Sequence, residues 1–212
     1  MCQFAIDDCG SNLYFVKDEF KTMELCYKAV STYGTALDAV PDEYRTKEMC
    51  QMAVSENGHA LKYVPLELKT KEMCQMAVET HGGALRHVPI KLKTYEMCRS
   101  AAQNSSYSMK YIPKKMMTQE LCDLAFMNDI DSIRWIPKEM ITENMCRSIA
   151  MSNCFLLSCI PDKFITYEIY KLAVSNYGPY IKYVPEIYIT DELQHISENC
   201  NEYDDENNED DD

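Results

Sequence analysis

The chain repeats one short unit at a constant spacing of 24 residues. Seven prolines hold this spacing without an insertion or deletion, at Pro41, Pro65, Pro89, Pro113, Pro137, Pro161 and Pro185. A unit of this size cannot bury an apolar face alone, and it builds a continuous core only by stacking on its neighbours. The spacing therefore predicts an array of stacked repeats.

Eight threonines keep the same spacing and mark the predicted repeat boundaries: Thr22, Thr46, Thr70, Thr94, Thr118, Thr142, Thr166 and Thr190. A threonine just before a helix accepts a hydrogen bond from an amide of the first turn. After Thr46, the apolar residues lie at i, i+1, i+4 and i+5, and they draw one stripe along a helix: Met49, Cys50, Ala53 and Val54. We therefore expect each threonine to cap an amphipathic helix.

The second half of the repeat predicts a short return helix. Gly58 has counterparts in four other repeats, and a glycine after a helix commonly takes the left-handed conformation that ends it. Ala60 and Leu61 begin a second helix, which Pro65 must end because the residue before a proline is driven out of the helical region. Leu68 is expected to return to the core. The sequence thus predicts an all-α fold, an α-solenoid of about eight 24-residue helix-turn-helix repeats over residues 1–200.

Leucine-rich repeats have a similar length and are the alternative architecture. They require a strand with alternating leucines, whereas the cysteine of this repeat lies in a run of helix-compatible residues such as Glu48 and Ala53. The chain contains no segment of alternating β-branched residues. The local sequence therefore favours helices.

Seven of the eleven cysteines occupy one position of the repeat: Cys2, Cys26, Cys50, Cys74, Cys98, Cys122 and Cys146. Equivalent helices in neighbouring repeats pack about 8 to 10 Å apart, whereas a disulfide needs Cα atoms within about 7 Å. No two cysteines have the close C-x₂-C spacing of zinc sites. We expect buried, reduced thiols, no metal or cofactor, and a cytoplasmic protein. The first residues lack the basic start and apolar stretch of a secretory signal, so export by that route is not expected, and no apolar run is long enough to span a bilayer.

Most of the acidity lies at the C-terminal end of the chain. The net charge is −13, and residues 201–212 hold eight carboxylates and no basic residue. Such a composition cannot bury enough apolar surface to fold, so these residues are predicted to form a disordered acidic tail. The tail serves either as a solubilising appendage or as a docking strip for a basic partner. The preceding residues keep a net charge of −5.

Two rows of basic residues recur through the array. The first, here called the basic row, contains Lys62, Arg86, Lys110, Arg134 and Lys182, with aromatic or imidazole neighbours at Tyr63, His87, Tyr111, Trp135 and Tyr183. The second row contains Lys21, Arg45, Lys69 and Lys93. Basic and aromatic residues in register resemble the side chains with which helical RNA readers bind bases. The net acidity of the array instead favours packed aromatics with lysine stems over them, so nucleic acid is the less favoured partner.

The sequence offers no catalytic motif. The four histidines, His59, His81, His87 and His195, occupy unlike positions of the repeat and are not expected to converge. No Gly-rich phosphate loop, metal-ligand cluster or nucleophile elbow occurs. The expectation is a protein that is not an enzyme, with no catalytic, cofactor-binding or metal-binding residues.

The repeat pattern T-x-E-M-C-x-x-A-V-x-x-x-G-x-A-L-x-Y-V-P-x-x-L-K resembles the tandem repeat of a family of unknown function found in giant DNA viruses, protists and some bacteria. The similarity lies in Ala53-Val54, Asn57-Gly58, Ala60-Leu61 and Tyr63, and it extends over nearly the whole chain. The chain departs from that family by carrying threonine and proline where its members often have an acidic residue and serine. The resemblance implies helical repeats and a viral origin, and it implies no activity.

The leading functional hypothesis is a non-catalytic protein-interaction scaffold with an unidentified partner. Candidate partner-binding residues are Lys62, Arg86, Lys110, Arg134, Trp135 and Lys182. Residues 105–107, 129–131 and 153–159 lose the glycine signature and mark either a recognition patch or tolerated drift. The alternatives are a structural or packaging component of a virus particle and nucleic-acid binding through the basic row. A viral protein of this kind would lie in the host cytoplasm or the virion.

The start of the chain departs from the repeat. Met1–Ile6 aligns with Met49–Val54, so the sequence begins inside a first helix without a capping threonine. Solenoids normally end in polar caps. We therefore expect an uncapped N-terminal face that supports end-to-end self-association, or an origin in a longer array.

Overall fold

The computed structural model describes residues 9–205, and the side chains of residues 9–200. Two compact units divide the chain between Asp129 and Ile130. Every regular element of residues 9–205 is helical. The predicted all-α solenoid of stacked repeats is confirmed. Among the described residues, no helix combines the length and apolarity that crossing a membrane requires.

In the first unit, ten-residue α-helices alternate with six-residue 3₁₀ helices. The α-helices are α1 (Met23–Thr32), α2 (Lys47–Glu56), α3 (Lys71–Thr80), α4 (Tyr95–Asn104) and α5 (Gln119–Asn128). The 3₁₀ helices are Gly10–Phe15, Gly34–Ala39, Gly58–Tyr63, Gly82–His87 and Ser106–Tyr111. Consecutive α-helices pack on one another, and consecutive 3₁₀ helices do the same. The unit therefore has two layers, one of each kind of helix.

The second unit repeats this arrangement. Its α-helices are α6 (Glu143–Ser152), α7 (Tyr167–Asn176) and α8 (Asp191–Asp205), and its six-residue 3₁₀ helices are Ile130–Trp135, Cys154–Cys159 and Gly178–Tyr183. Helix α7 packs between α6 and α8. In both units a single 3₁₀ turn follows most of the repeat prolines, at Asp42–Tyr44, Leu66–Leu68, Lys114–Met116, Lys138–Met140, Asp162–Phe164 and Glu186–Tyr188. The equivalent turn Asp18–Phe20 follows Lys17.

The eight repeat threonines cap their helices. Each threonine hydroxyl accepts a hydrogen bond from the backbone N–H three residues later, as Thr70 does from Met73 at 3.2 Å. The threonine backbone is extended, so the chain enters each helix at a fixed residue. One otherwise unpaired amide of each first turn is thereby satisfied.

Replacing Thr70 by alanine should lower the free energy of unfolding by about 1 kcal/mol, because the amide of Met73 loses its acceptor. Urea unfolding followed by circular dichroism measures this change. Thr70→Ser keeps the hydroxyl and should retain most of the stability. Equal losses in the serine and alanine variants would contradict a capping role.

The predicted apolar stripe forms the core. In α2, Met49, Cys50, Ala53 and Val54 are all fully buried, and the equivalent residues of α3 are buried in the same way. The 3₁₀ layer contributes Ala60 and Leu61 and their equivalents. Six of the seven periodic cysteines are buried and free, and Cys2 lies outside the described residues. The thiols therefore act as small apolar groups in the α-helical layer.

The glycines have a different role from the one predicted. None of the described residues has a positive φ, so the left-handed helix end predicted at Gly58 is wrong. A Cβ atom at Gly34 would overlap the carbonyl oxygen of Ala53 in the next α-helix, and Gly10, Gly58 and Gly82 make the same close approach one repeat apart. In these four repeats glycine is required because the start of the 3₁₀ helix lies directly against the following α-helix.

The second half of the repeat also differs from the prediction. The return helix is a six-residue 3₁₀ helix, in which the amide of Ala60 bonds to the carbonyl of Asn57. It ends because Val64, before Pro65, is extended. Leu68 does not enter the core: it is half-buried, and Phe20 at the same position is 58% exposed. The single turn after the proline is too short to carry this side chain back inside.

Helix α8 continues beyond the predicted end of the repeats. It runs from Asp191 to Asp205, five residues into the segment predicted to be a disordered tail. No glycine or proline interrupts that stretch, so the local sequence permits the helix to extend. Residues 206–212 of the predicted tail lie outside the described part, and so do residues 1–8, for which an uncapped helix was predicted.

Candidate functional site

The basic row lies on the 3₁₀ layer. Lys62, Arg86 and Lys110 are exposed in the first unit, and each occupies the next-to-last residue of its 3₁₀ helix. Arg134 and Lys182 are exposed at the same place in the second unit. The structure therefore brings the three residues of the first unit onto consecutive 3₁₀ helices that pack side by side.

Most of these cations lie over a nearby aromatic ring. The ammonium group of Lys62 lies 4.9 Å from the centre of the Tyr63 ring, and that of Lys182 lies 5.0 Å from the centre of the Tyr183 ring. The ammonium group of Lys110 lies over the ring of Tyr107, 5.5 Å from its centre. These distances are typical of cation–π contacts. The side chains therefore form an ordered exposed surface.

Arg134 and Trp135 differ from the rest of the candidate residues. The guanidinium of Arg134 forms an ion pair with Asp131 at 3.2 Å, which neutralises its charge locally. Trp135 is half-buried at the end of the Ile130–Trp135 helix. Neither residue lines the cleft that Phe155, Tyr170 and Tyr180 form in the second unit.

The second basic row holds repeats of the first unit together. Lys69 donates to the carbonyl oxygen of His87 at 3.0 Å, at the end of the next 3₁₀ helix. Lys21 and Lys93 donate to the equivalent carbonyls of Ala39 and Tyr111, and Arg45 reaches that of Tyr63. Each cation therefore satisfies a helix-end carbonyl of the neighbouring repeat.

Sequence analysis did not assign a role to this second row. The sequence signal for this role is that the same position is apolar in every later repeat, at Met117, Ile141, Ile165 and Ile189. A position that accepts either isoleucine or lysine is partly buried. Burial accordingly lowers the pKa of Lys69 and of Lys93.

His59 and His81 meet in the first unit, contrary to the expectation from their repeat positions, and the charge of His59 also acts on His87. The rings of His59 and His81 lie 4.4 Å apart, and the Nε of Arg86 donates to Nε2 of His87 at 2.7 Å. Burial, followed by the charge of Arg86, lowers the pKa of His87 to about 4. This imidazole is therefore neutral at physiological pH. The residues meet because adjacent 3₁₀ helices lie side by side.

An aromatic cleft of about 530 Å³ opens in the second unit. Its lining includes Phe155, Ile160, Asp162, Tyr170, Tyr180 and Tyr183. Phe155 comes from residues 153–159, one of the segments that depart from the repeat. The side chains of Phe155 and Tyr183 are 56% and 54% exposed, so the mouth of the cleft is apolar and open to solvent.

The rings of the cleft pack against one another. The ring centre of Phe155 lies 6.0 Å from that of Tyr180 and 6.0 Å from that of Tyr183, and the two tyrosine centres are 5.5 Å apart. These are the separations of edge-to-face and tilted aromatic pairs. Because the three rings are in mutual contact, they form one continuous apolar platform.

Two substitutions of small residues by tyrosine explain where the cleft lies. Tyr170 takes the position that is cysteine in the earlier repeats, and Tyr180 takes the position that is alanine at Ala60 and Ala84. Both tyrosine side chains are buried. Two large side chains within one repeat prevent the adjoining segments from closing as the cysteine and alanine repeats do. Tyr170 and Tyr180 are therefore the residues that sequence analysis missed.

The cleft is lined mainly by side chains that are neutral at physiological pH. Burial raises the pKa of Tyr170, and it raises the pKa of Tyr180 to about 12, so both hydroxyls stay neutral at physiological pH. Among the lining residues, the ionised group is Asp162. The lysine of the basic row at the rim, Lys182, lies over Tyr183. This arrangement can bind an apolar group and place a charge beside it.

The part of the chain that the structure describes contains no candidate metal site. Among its residues, no three histidine, cysteine, aspartate or glutamate side chains are grouped so that they could hold a metal ion.

Comparison with known protein families matches two overlapping segments of the chain to one family model. Residues 22–69 and residues 46–93 each match a domain of unknown function, DUF4116. Each match covers two repeats, and the second match begins one repeat after the first, which supports the tandem organisation. No curated protein and no solved structure matches the chain.

Proposed function

We propose that the chain is a non-catalytic protein-interaction scaffold and that the aromatic cleft of the second unit receives the partner. The observation that carries this proposal is the cleft with Phe155 and Tyr183 exposed at its mouth. Exposed apolar surface beside an ordered cleft is typical of interaction sites. Tyrosine and phenylalanine are also enriched at the centres of protein interfaces.

The proposed partner is a protein segment with an apolar side chain flanked by a carboxylate. The apolar side chain would pack on the platform of Phe155, Tyr180 and Tyr183. The flanking carboxylate would approach the ammonium of Lys182, which lies at the rim over Tyr183. The neutral tyrosine hydroxyls favour binding rather than proton transfer as the role of the cleft.

Selection from a displayed peptide library tests the proposal. The full chain should enrich peptides of this kind, and a synthetic selected peptide should bind roughly tenfold or more weakly to Phe155→Ala and to Tyr183→Ala, because aromatic side chains at the centre of an interface contribute most of the affinity. Fluorescence anisotropy measures the dissociation constants. Lys182→Glu should weaken peptides with an acidic flank and spare their neutral counterparts.

Met127→Ala provides the matched control, because Met127 is apolar and 85% exposed but lies on α5, outside the cleft. It should leave the affinity unchanged. Selected peptides that bind the wild type and the Phe155→Ala and Tyr183→Ala variants equally would exclude the cleft as the binding site.

The proposed interaction takes place in a reducing compartment such as the cytoplasm. The described cysteines are all free. Buried free thiols persist where glutathione and thioredoxin keep them reduced.

A further inference from the structure

One stretch of the first unit is strongly basic, although the chain as a whole is acidic. Residues 57–117 contain ten lysines and arginines against four glutamates, a net charge of +6, whereas the whole chain has a net charge of −13. The chain therefore contains a basic region of about two and a half repeats, although its total net charge is negative. This region includes the three consecutive members of the basic row.

These three residues and their neighbours form a strip along the 3₁₀ layer, defined here as Lys62, Arg86 and Lys110 with Tyr63, His87, Tyr107 and Tyr111. The 3₁₀ helices that carry them pack side by side in chain order. Each step along the strip thus presents one exposed cation and at least one ring. The Tyr107 and Tyr111 rings meet edge to face at 5.5 Å, and Lys110 lies over Tyr107.

Two cations of the strip, Lys62 and Arg86, have no carboxylate partner among residues 9–200. The charges that act on His87 are those of Arg86, Lys69, Lys62 and His59, all of which lower its pKa. The potential over this part of the surface is therefore positive, and an anionic ligand would supply the missing charge.

We infer that the strip binds single-stranded nucleic acid, with phosphates on Lys62, Arg86 and Lys110 and bases stacked on the rings between them. Single-stranded binders combine a positive groove that follows the backbone with aromatic side chains on which bases stack. The strip supplies both groups at each step. An acidic protein segment would use the cations and leave the rings without a role, so the rings favour nucleic acid.

The inference is independent of the aromatic cleft, because it rests on other residues in the other unit. Sequence analysis placed nucleic acid below protein as a partner on account of the net acidity. The positive charge is concentrated in residues 57–117, all of which belong to the first unit. Local charge, rather than the total, governs binding at a surface patch.

The test measures binding of the full chain to a fluorescein-labelled oligouridine of twelve nucleotides by anisotropy, at 50 to 200 mM sodium chloride. We expect binding at 50 mM and a slope of about −2 for the logarithm of the affinity against that of the salt concentration, because about three phosphates are neutralised. Arg86→Glu should weaken binding about tenfold and flatten the slope. Tyr107→Leu should weaken binding about fivefold and leave the slope unchanged.

Lys71→Glu is the matched control, because it makes the same change of charge in the same unit at the exposed first residue of α3. It should change the affinity less than twofold. Thermal unfolding of each variant establishes that it is folded. The inference is overturned if no binding occurs at 50 mM salt, or if Lys71→Glu weakens binding as much as Arg86→Glu. It is also overturned if labelled polyglutamate or duplex RNA binds as tightly as the single strand.

Discussion

Gly34→Ala should lower the free energy of unfolding by about 3 kcal/mol or more, at the upper end of what overpacking costs. The new methyl group would overlap the carbonyl oxygen of Ala53, and it would also lie 3.0 Å from the amide nitrogen of Asn57. Both are backbone atoms of the next repeat, so no side chain can rotate away. The 3₁₀ helix would have to move off α2 and open the core between them. Urea unfolding followed by circular dichroism measures the loss.

Two other glycines provide graded controls. At Gly82 a Cβ would lie 2.8 Å from the carbonyl oxygen of Ala101, and at the adjacent Gly83 it would meet nothing within 4 Å. Gly82→Ala should therefore cost less than Gly34→Ala. Gly83→Ala should be neutral or stabilising by about 0.5 kcal/mol, because alanine restricts the unfolded chain. A similar loss of stability in all three variants would show that close approach is not the reason for glycine.

The periodic thiols should react at least a hundredfold more slowly than Cys9 with a maleimide at pH 7.5 in the folded protein. Burial raises the pKa of Cys50, Cys74 and Cys146 to about 11, whereas hydrogen bonds from Ser11 lower the pKa of the exposed Cys9. The thiolate is the reactive form, and the raised pKa alone reduces its fraction about a hundredfold. Mass spectrometry of labelled peptides measures the rates.

Denaturation supplies the control for this experiment. In urea all the cysteines should label at similar rates, because the burial that separates them is lost. Rapid labelling of Cys50 or Cys74 in the folded protein would contradict the buried position of the cysteines.

The raised pKa of the buried thiols also makes the stability of the folded protein depend on pH. The neutral thiols stabilise the folded state below about pH 9, and this contribution is lost as the pH rises through about 11.

The local chemistry of the repeat could be predicted from the sequence because each signal acts within a few residues. Thr70 caps α3 through an amide three residues away, and Pro65 ends the preceding 3₁₀ helix through its immediate neighbour. The stripe of Met49, Cys50, Ala53 and Val54 identifies the buried face of α2 because side chains at these spacings share one side of a helix. None of these inferences requires knowledge of the next repeat.

The candidate sites could be predicted only in part. Exposed members of the basic row, such as Lys62 and Arg86, were identified from their spacing, and residues 153–159 were identified from their departure from the repeat. The cleft itself was not predicted, because it depends on how Tyr170 and Tyr180 pack at positions that hold cysteine and alanine in earlier repeats. The meeting of His59 and His81 likewise depends on the distance between neighbouring 3₁₀ helices.

The sequence by itself determined the period, the helix starts, the buried face of each α-helix and the all-α class of the fold. Only the tertiary structure decided why Gly34 must be glycine, that the return helix is 3₁₀, and that Lys69 serves a carbonyl of the next repeat while Lys62 stays exposed. The physical reason is the range of the interactions. Caps and periodicity act within one repeat, whereas close backbone approach, side-chain volume and long-range hydrogen bonds arise when one repeat is placed against the next.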